Sequence, residues 1–350
     1  MQKRTGKTLI LALCLCALTL SLCGCAERAK LYSRSTLDCF DTVCTLSAYT
    51  TSADAFDRMY ALALETLTAD HKRFDIYNEY EGLNNLCTVN KNAGRAPVPV
   101  ERELLDFLAA AEQMCAQTGE SVNIAFGSVL SIWHDCRTAG LDDPAAAKLP
   151  LLSDLRKAAA HCDPDNMILD FENSTVFLRD AAMSLDVGAL AKGYAEEHTA
   201  KVLIENGYTD FALDFGGNIR TVGAKGDGSA WTCGVAFPQE LQKEGYAAKL
   251  VLHDRAVATS GNEQRFFTVD GQRYGHIIST EDLMPARRFL LVSVIAEDAA
   301  TADLLSTACF LLPLAEGRAL IANTPSAEAM WILPDGERYC SDGFYSYETP

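Results

Sequence analysis

Positive charge is scarce in this sequence. Its 350 residues carry 30 Lys and Arg against 47 Asp and Glu, a net charge of −17. Without an excess of cations to release phosphate counterions, nucleic acid is excluded as a partner. Electrostatic docking on an anionic membrane is excluded for the same reason. No C-x-x-C pair is present, so a zinc ribbon or a thioredoxin-like motif is unsupported. Thirteen cysteines in a chain this long are too sparse for a disulfide scaffold. No fixed-period repeat, low-complexity tract or clear linker divides the chain. What remains is 49% hydrophobic and 22% charged, a globular composition able to bury a sizeable core.

Standard catalytic signatures are also missing. Gly223-Ala224-Lys225-Gly226-Asp227-Gly228 has the wrong glycine order for a dinucleotide fingerprint and reads as a turn. Glu196-Glu197-His198 lacks the second histidine of a zinc-protease helix and reads as a solvated helix face. His134-Asp135-Cys136 places nucleophile-type side chains next to one another, where they point apart. His71, His161 and His253 read as surface residues.

The N-terminus reads as an address. Lys3, Arg4 and Lys7 precede an apolar run of 14 residues, Leu9 to Leu22. That is short of the roughly 20 residues a spanning helix needs, and it fits a signal peptide over 1–24. Leu22-Cys23-Gly24-Cys25 resembles a bacterial lipobox, with Cys25 as the lipidated residue and 25–37 as a linker. The expected location is the extracytoplasmic face of the cell membrane, held by the lipid anchor. Removing residues 1–24 takes away three positive charges and no acid, leaving −20, so lipid and not charge must hold the chain there. Nine cysteines lie beyond Cys25, and most sit in apolar runs as small core hydrophobes.

Apolar spacing predicts a helix over 53–74 (Phe56, Tyr60, Leu64, Leu67) and another over 101–117, stopped by Gly119. Residues 139–150 read as a surface connection. Strands are expected at 42–49, 167–170, 175–178, 184–187, 210–214, 219–223, 231–237, 249–252, 256–259, 265–269 and 289–294. A helix over 194–206 ends at Gly207, and one opened by Asp298 stops at Pro313. Strands in runs, without strict alternation with helices, imply an α+β fold.

Four segments carry a chemical signal. In Ser184 to Ala195, a strand would deliver Asp186 to a Gly/Ala loop. A helix starting near Lys192 would then offer free N–H groups and a positive dipole to an anion. Asp214-Phe215-Gly216-Gly217-Asn218-Ile219-Arg220 places paired glycines between two strands, a tight turn or a close approach to a ligand. Thr259-Ser260-Gly261-Asn262, Arg265 and Gly275-His276-Ile277-Ile278 form the third. In the fourth, Asp303 and Thr307 share one helix face. Together they make a hard oxygen pair suited to Mg²⁺. Equally, Thr307 could bond a backbone carbonyl within its helix.

Taken in order, D-x-G-x-x-A-K-G-Y-A at 186–195, G-G-N-I-R at 216–220, T-S-G-N at 259–262, G-H-I-I at 275–278 and A-D-x-x-S-T-A at 302–308 resemble the ApbE family, the FAD:protein FMN transferases. The resemblance covers about residues 38–332, and implies one catalytic domain over 38–345 with mixed or antiparallel sheets and flanking helices in two interlocked subdomains. It implies that FAD binds with its diphosphate bridged by Mg²⁺, and that FMN passes to a Thr hydroxyl of an exported flavoprotein with release of AMP. By the same resemblance, Asp303, Thr307 and a backbone oxygen of Ala189 hold the metal. Asp186 and Lys192 contact FAD, and Phe40, Tyr77, Trp133, His134, Asp135 and Ile277 surround its rings. Asp303 and His276 are the catalytic candidates, the histidine either as an acceptor for the hydroxyl proton, because it titrates near neutral pH, or as a group that only orients FAD. A metal-dependent FAD pyrophosphatase and a non-catalytic FAD-binding lipoprotein would share these residues. Two departures stand out: Ser279-Thr280 replaces the family's Asp-Pro after His276-Ile277-Ile278, and Glu263 stands where a Tyr is usual.

Overall fold

The large sheet owes its position to strands that bury one face under helices. The structure is a computed structural model that describes residues 29–262 and 265–349. The signal segment, Cys25 and Glu263 lie outside the described residues. Eight strands form one sheet in the order β1-β2-β6-β7-β10-β13-β14-β15. These are Lys30–Thr36, Cys44–Thr50, Phe211–Phe215, Asn218–Val222, Ala256–Gly261, Leu291–Ala296, Glu328–Ile332 and Arg338–Cys340. Smaller sheets join β3 (Val98–Pro99), β5 (Thr175–Leu178) and β4 (Met167–Asp170), then β8 (Trp231–Ala236) with β9 (Tyr246–Leu252), and β11 (Phe266–Val269) with β12 (Gln272–Gly275). Every named strand pair is antiparallel.

The described helices are α1 (Ala53–Phe74), α2 (Leu86–Lys91), α3 (Arg102–Gln117), α4 (Gly127–Asp142), α5 (Leu152–Ala159), α6 (Ala191–Glu205), α7 (Ala299–Leu311) and α8 (Leu314–Ala322). The fold is α+β. Ser52 caps α1 by accepting from the Ala55 N–H, and Asp298 caps α7 by accepting from Thr301. On one side of the sheet, α1, α3 and α6 enclose a core that includes Phe74, Phe107 and Leu213. Phe74 and Phe107 stack with centroids 3.9 Å apart, and Tyr194 of α6 meets both edge-on. A second core joins α4 to the β11–β12 hairpin through Trp133, Phe267, Tyr274, Ile278 and Leu283. These segments lie far apart in sequence, so the two halves interlock.

Four expectations are corrected here. Strand β1 occupies most of the segment read as a linker. It is mostly polar, and it is held by pairing with β2, by Tyr32 stacked on Phe56 and by the hydroxyl pairs Ser33–Ser47 and Ser35–Thr45. Helix α4 runs to Asp142, so the connection starts only at Asp143. No strand forms at 184–187. Its alternation of buried Leu185 and Val187 is real, but the Asn90 side chain substitutes for a ladder, accepting from the Leu185 N–H and donating to its carbonyl. His71 and His161 are held rather than free. His71 Nδ1 accepts from the Phe40 N–H, and His161 pairs with Asp180. No described helix is long and apolar enough to cross a membrane.

Candidate active site

Between the sheet and the second core lies an open cavity of about 500 Å³, within the usual range for small-molecule sites. Its floor is the β10 segment Val257 to Gly261 with Ile219 of β7. One wall is the loop from Asp186 to Lys192 with Asp303 and Thr307 of α7. Helix α4 (Leu130, Trp133, His134, Arg137) and the Gly275 to Ile278 stretch complete the lining. Thr42, Gly216 and Gly217 close one rim. Gly216 and Gly217 form the two-residue loop of the β6–β7 hairpin, with φ of 66° and 93°. This is the left-handed pair that such a turn requires. A Cβ on Gly216 would lie 2.1 Å from Thr42 Oγ1, so glycine also lets the rim close.

Asp186 is carried by a pinned loop rather than a strand end. Its N–H bonds the Ile124 carbonyl, and its Oδ1 accepts the Gly188 N–H at 2.8 Å. Removal from bulk water raises its carboxyl, against which Gly188, His134 and Arg137 pull.

The wall holding Asp303 is built by the close approach of α6 and α7. Gly193 makes that approach possible. A Cβ there would stand 2.4 Å from both the Ala299 carbonyl oxygen and Asp303 Cβ. Asp303 Oδ2 accepts the Gly193 N–H at 2.8 Å, and Oδ1 lies 3.7 Å from Lys192 Nζ. The start of α6 is therefore occupied by the protein's own carboxylate, and Ala191 bonds Val187. This corrects the expectation for the N–H groups of Ala191 and Gly193, which are taken within the protein. Lys192 itself lines the cavity.

Glu196 and Glu197 are buried, not solvated. Glu197 Oε2 accepts from Arg220 Nε at 2.8 Å and from the Ala299 N–H at 3.1 Å, joining α6, β7 and the start of α7. His198 Nδ1 bonds buried Asp70 at 2.6 Å, which raises the histidine's pKa. Glu196 has neither carboxylate oxygen paired. Burial pushes its carboxyl well above the ordinary range, Asp214, Asp303 and Glu197 push the same way, and Lys192 opposes them. A raised carboxyl favours folding fully below the unfolded pKa, and that contribution is lost as pH rises towards the folded value. Glu196→Met should therefore stabilise the chain at neutral pH by about 2 kcal/mol. It should also flatten the decline of stability above roughly pH 4.5. Thermal melts from pH 4 to 8 check both, and an unchanged or lower melting point at pH 7 counts against the argument.

His276 lies just past β12 and lines the cavity. His276 is exposed to the open cavity, yet desolvation by the protein around it, with Arg265, Arg137 and Lys192 nearby, pushes its pKa down to about 4. This corrects the expectation of titration near neutrality. Nδ1 lies 3.2 Å from the Arg265 carbonyl. A carbonyl only accepts, so Nδ1 carries the proton and Nε2 keeps its lone pair.

The ring-contact candidates separate. Tyr77, His134, Trp133 and Ile277 line the cavity; Phe40 and Asp135 do not. Tyr77 is 61% exposed at the mouth, with its ring 5.1 Å from that of His134. His134 Nδ1 accepts from Arg137. Trp133 is a wall, held by Nε1 donating to the Leu283 carbonyl and packed against Tyr274. Phe40 packs edge-on to His71, and the loop it begins is held by Arg265 donating to the Asp41 carbonyl at 3.0 Å. Asp135 is exposed on α4, a helical step away from His134. Arg137 had drawn no attention in the sequence. Thr280, at the position of the missing proline, lines the cavity and bonds the Glu120 carbonyl.

The donors on the α7 wall fit a magnesium ion. Asp303, Thr307 and Ala189 border the same cavity, and a carboxylate, a hydroxyl and a backbone carbonyl are all hard oxygens. Among the described residues, no group of three or more His, Cys, Asp or Glu could hold a metal. A magnesium ion bound to so few protein oxygens would take its remaining ligands from water or substrate.

A profile of the ApbE family matches residues 40–331. The chain is 31% identical over 336 residues to the FAD:protein FMN transferase of Treponema pallidum, spanning 92% of this chain and 90% of that protein. It is 28% identical over 267 residues to one from Klebsiella pneumoniae, spanning 74% and 80%. The crystal structure of the ApbE protein from Thermotoga maritima superposes with a TM-score of 0.80 at 25% identity, covering 92% of this chain and all of that one. The flavin transferase ApbE from Vibrio cholerae gives 0.75 at 21%, covering 91% and 99%, a likeness of fold. With the motifs from Asp186 to Thr307 gathered around one cavity inside the matched span, the chain belongs to the ApbE family.

Proposed function

We propose that this chain is an FAD:protein FMN transferase that requires Mg²⁺ and acts on a Thr hydroxyl of an exported flavoprotein. The observation that carries the reading is the single cavity that Asp303, Thr307, Ala189, Lys192 and His276 all line. The names of the curated relatives support it. When bound, Mg²⁺ would neutralise the diphosphate of FAD and polarise the phosphorus under attack. Asp303, Thr307 and Ala189 would hold it. Lys192 supplies a further positive charge beside Asp303, and α4 with Tyr77 supplies aromatic faces for a ring system. His276, neutral with a free Nε2, would take the proton of the acceptor hydroxyl. The hydroxyl oxygen forms a bond to the FMN phosphorus, the bond from that phosphorus to the AMP phosphate breaks, and AMP leaves.

The test follows AMP release from FAD with and without an acceptor domain bearing an exposed Thr. The transferase releases AMP only when the acceptor is present. Equal release without it would identify a pyrophosphatase, and bound FAD with no AMP a binding protein. We place the chain at the membrane through acylated Cys25; labelled acyl chain that persists in Cys25→Ser would refute that anchor.

A further inference from the structure

We propose that Ser260 and Ser306 are positioning residues that set the direction of the Thr307 hydroxyl, keeping its lone pairs turned to the cation site. The inference rests on Asp303 and Thr307 holding the metal. Three buried hydroxyls touch in a row that starts at the cavity lining with Thr307 and Ser260 and ends behind it at Ser306. Ser260 Oγ lies 2.8 Å from Ser306 Oγ and 3.3 Å from Thr307 Oγ1, and Ser306 Oγ lies 2.9 Å from the Asp303 carbonyl oxygen. Ser306 is fully buried, Ser260 8% exposed and Thr307 9%.

Proton counting gives the row one direction. Each hydroxyl has a single proton. The Asp303 carbonyl can only accept, so Ser306 donates to it. Ser306 must then accept from Ser260, whose one proton is thereby used. Ser260 can only accept from Thr307. Any other arrangement sets two lone pairs against each other at hydrogen-bond distance. Thr307 therefore donates inward, and its lone pairs remain for the cavity side.

The row also removes the alternative. In a helix, a threonine hydroxyl commonly swings back to the carbonyl four residues earlier. For Thr307 that carbonyl belongs to Asp303, and Ser306 already occupies it. Ser260 offers the acceptor that selects the other rotamer. Outer partners of this kind typically change metal affinity 10- to 100-fold when removed.

The experiment titrates the full protein with Mn²⁺, with ADP present as an unreactive diphosphate, and reads water-proton relaxation, which responds to ion held on the protein. Ser260→Ala and Ser306→Ala should each weaken Mn²⁺ by roughly 10-fold, and Ser260→Thr, which keeps the hydroxyl, should restore it. FAD affinity measured in EDTA should stay at the wild-type value in all three, which a general loosening of the wall would not allow. Thr307→Ala should be weakened at least as much. Wild-type Mn²⁺ binding in Ser260→Ala, with Thr307→Ala impaired, overturns the hydroxyl row alone. Wild-type binding in Thr307→Ala overturns the metal assignment and the row with it.

Discussion

Asp303→Asn should lower AMP release by at least about 1,000-fold, some 4 kcal/mol of barrier, while the chain melts within a few degrees of wild type. The asparagine carbonyl can still accept the Gly193 N–H that Asp303 Oδ2 holds at 2.8 Å. The α6–α7 junction is therefore kept, and only the charge facing Lys192 and the proposed cation site is lost. Asp303→Ala is the sharper structural contrast. It strips the buried Gly193 N–H of its partner, at a cost of about 1–3 kcal/mol, so it should lose stability as well as turnover. Activity of Asp303→Asn within 10-fold of wild type would remove this carboxylate from the chemistry.

Gly193→Ala should be the most damaging small substitution in the site. The added methyl meets a backbone carbonyl and the Asp303 Cβ, both at 2.4 Å. Neither is the end of a flexible side chain, so the two helices must part by about an ångström. Overpacking of this kind costs roughly 3 kcal/mol, a fall in melting temperature of about 6 °C. It also draws Asp303 off the Gly193 N–H, so Mg²⁺-dependent turnover should fall below about 1% of wild type even where the protein remains folded. A variant that melts normally and turns over normally would mean that the junction is looser than its geometry states.

How far these residues could be read without a structure depends on the kind of signal each one carries. Asp298 and Pro313 bracket α7 because a cap and a breaker are local chemistry, and the face shared by Asp303 and Thr307 follows from helical spacing alone. Asp186 was legible as a site residue, yet its loop read as a strand. The buried alternation was genuine, but the partner was the Asn90 amide, 95 residues away in sequence. Glu196 and Glu197 looked solvated because charge suggests water. Arg220, two strands onward, and the close α6–α7 contact at Gly193 are what bury them. His276 lines the cavity, but its titration was misjudged, because the protein that desolvates it and the cations Arg265, Arg137 and Lys192 come from separate segments. The row Thr307–Ser260–Ser306 was invisible for the same reason, since proton direction exists only once the oxygens are in place.

The most direct test of the account is the mass of the acceptor. The purified chain would be incubated with FAD, Mg²⁺ and a flavin-acceptor domain carrying an exposed Thr, and the acceptor analysed intact and after removal of that Thr. The account predicts an acceptor heavier by one FMN phosphoester at the Thr, matched mole for mole by AMP, with both lost in EDTA. An acceptor that stays unmodified while FAD is bound or hydrolysed, or one modified equally well in EDTA, would contradict it.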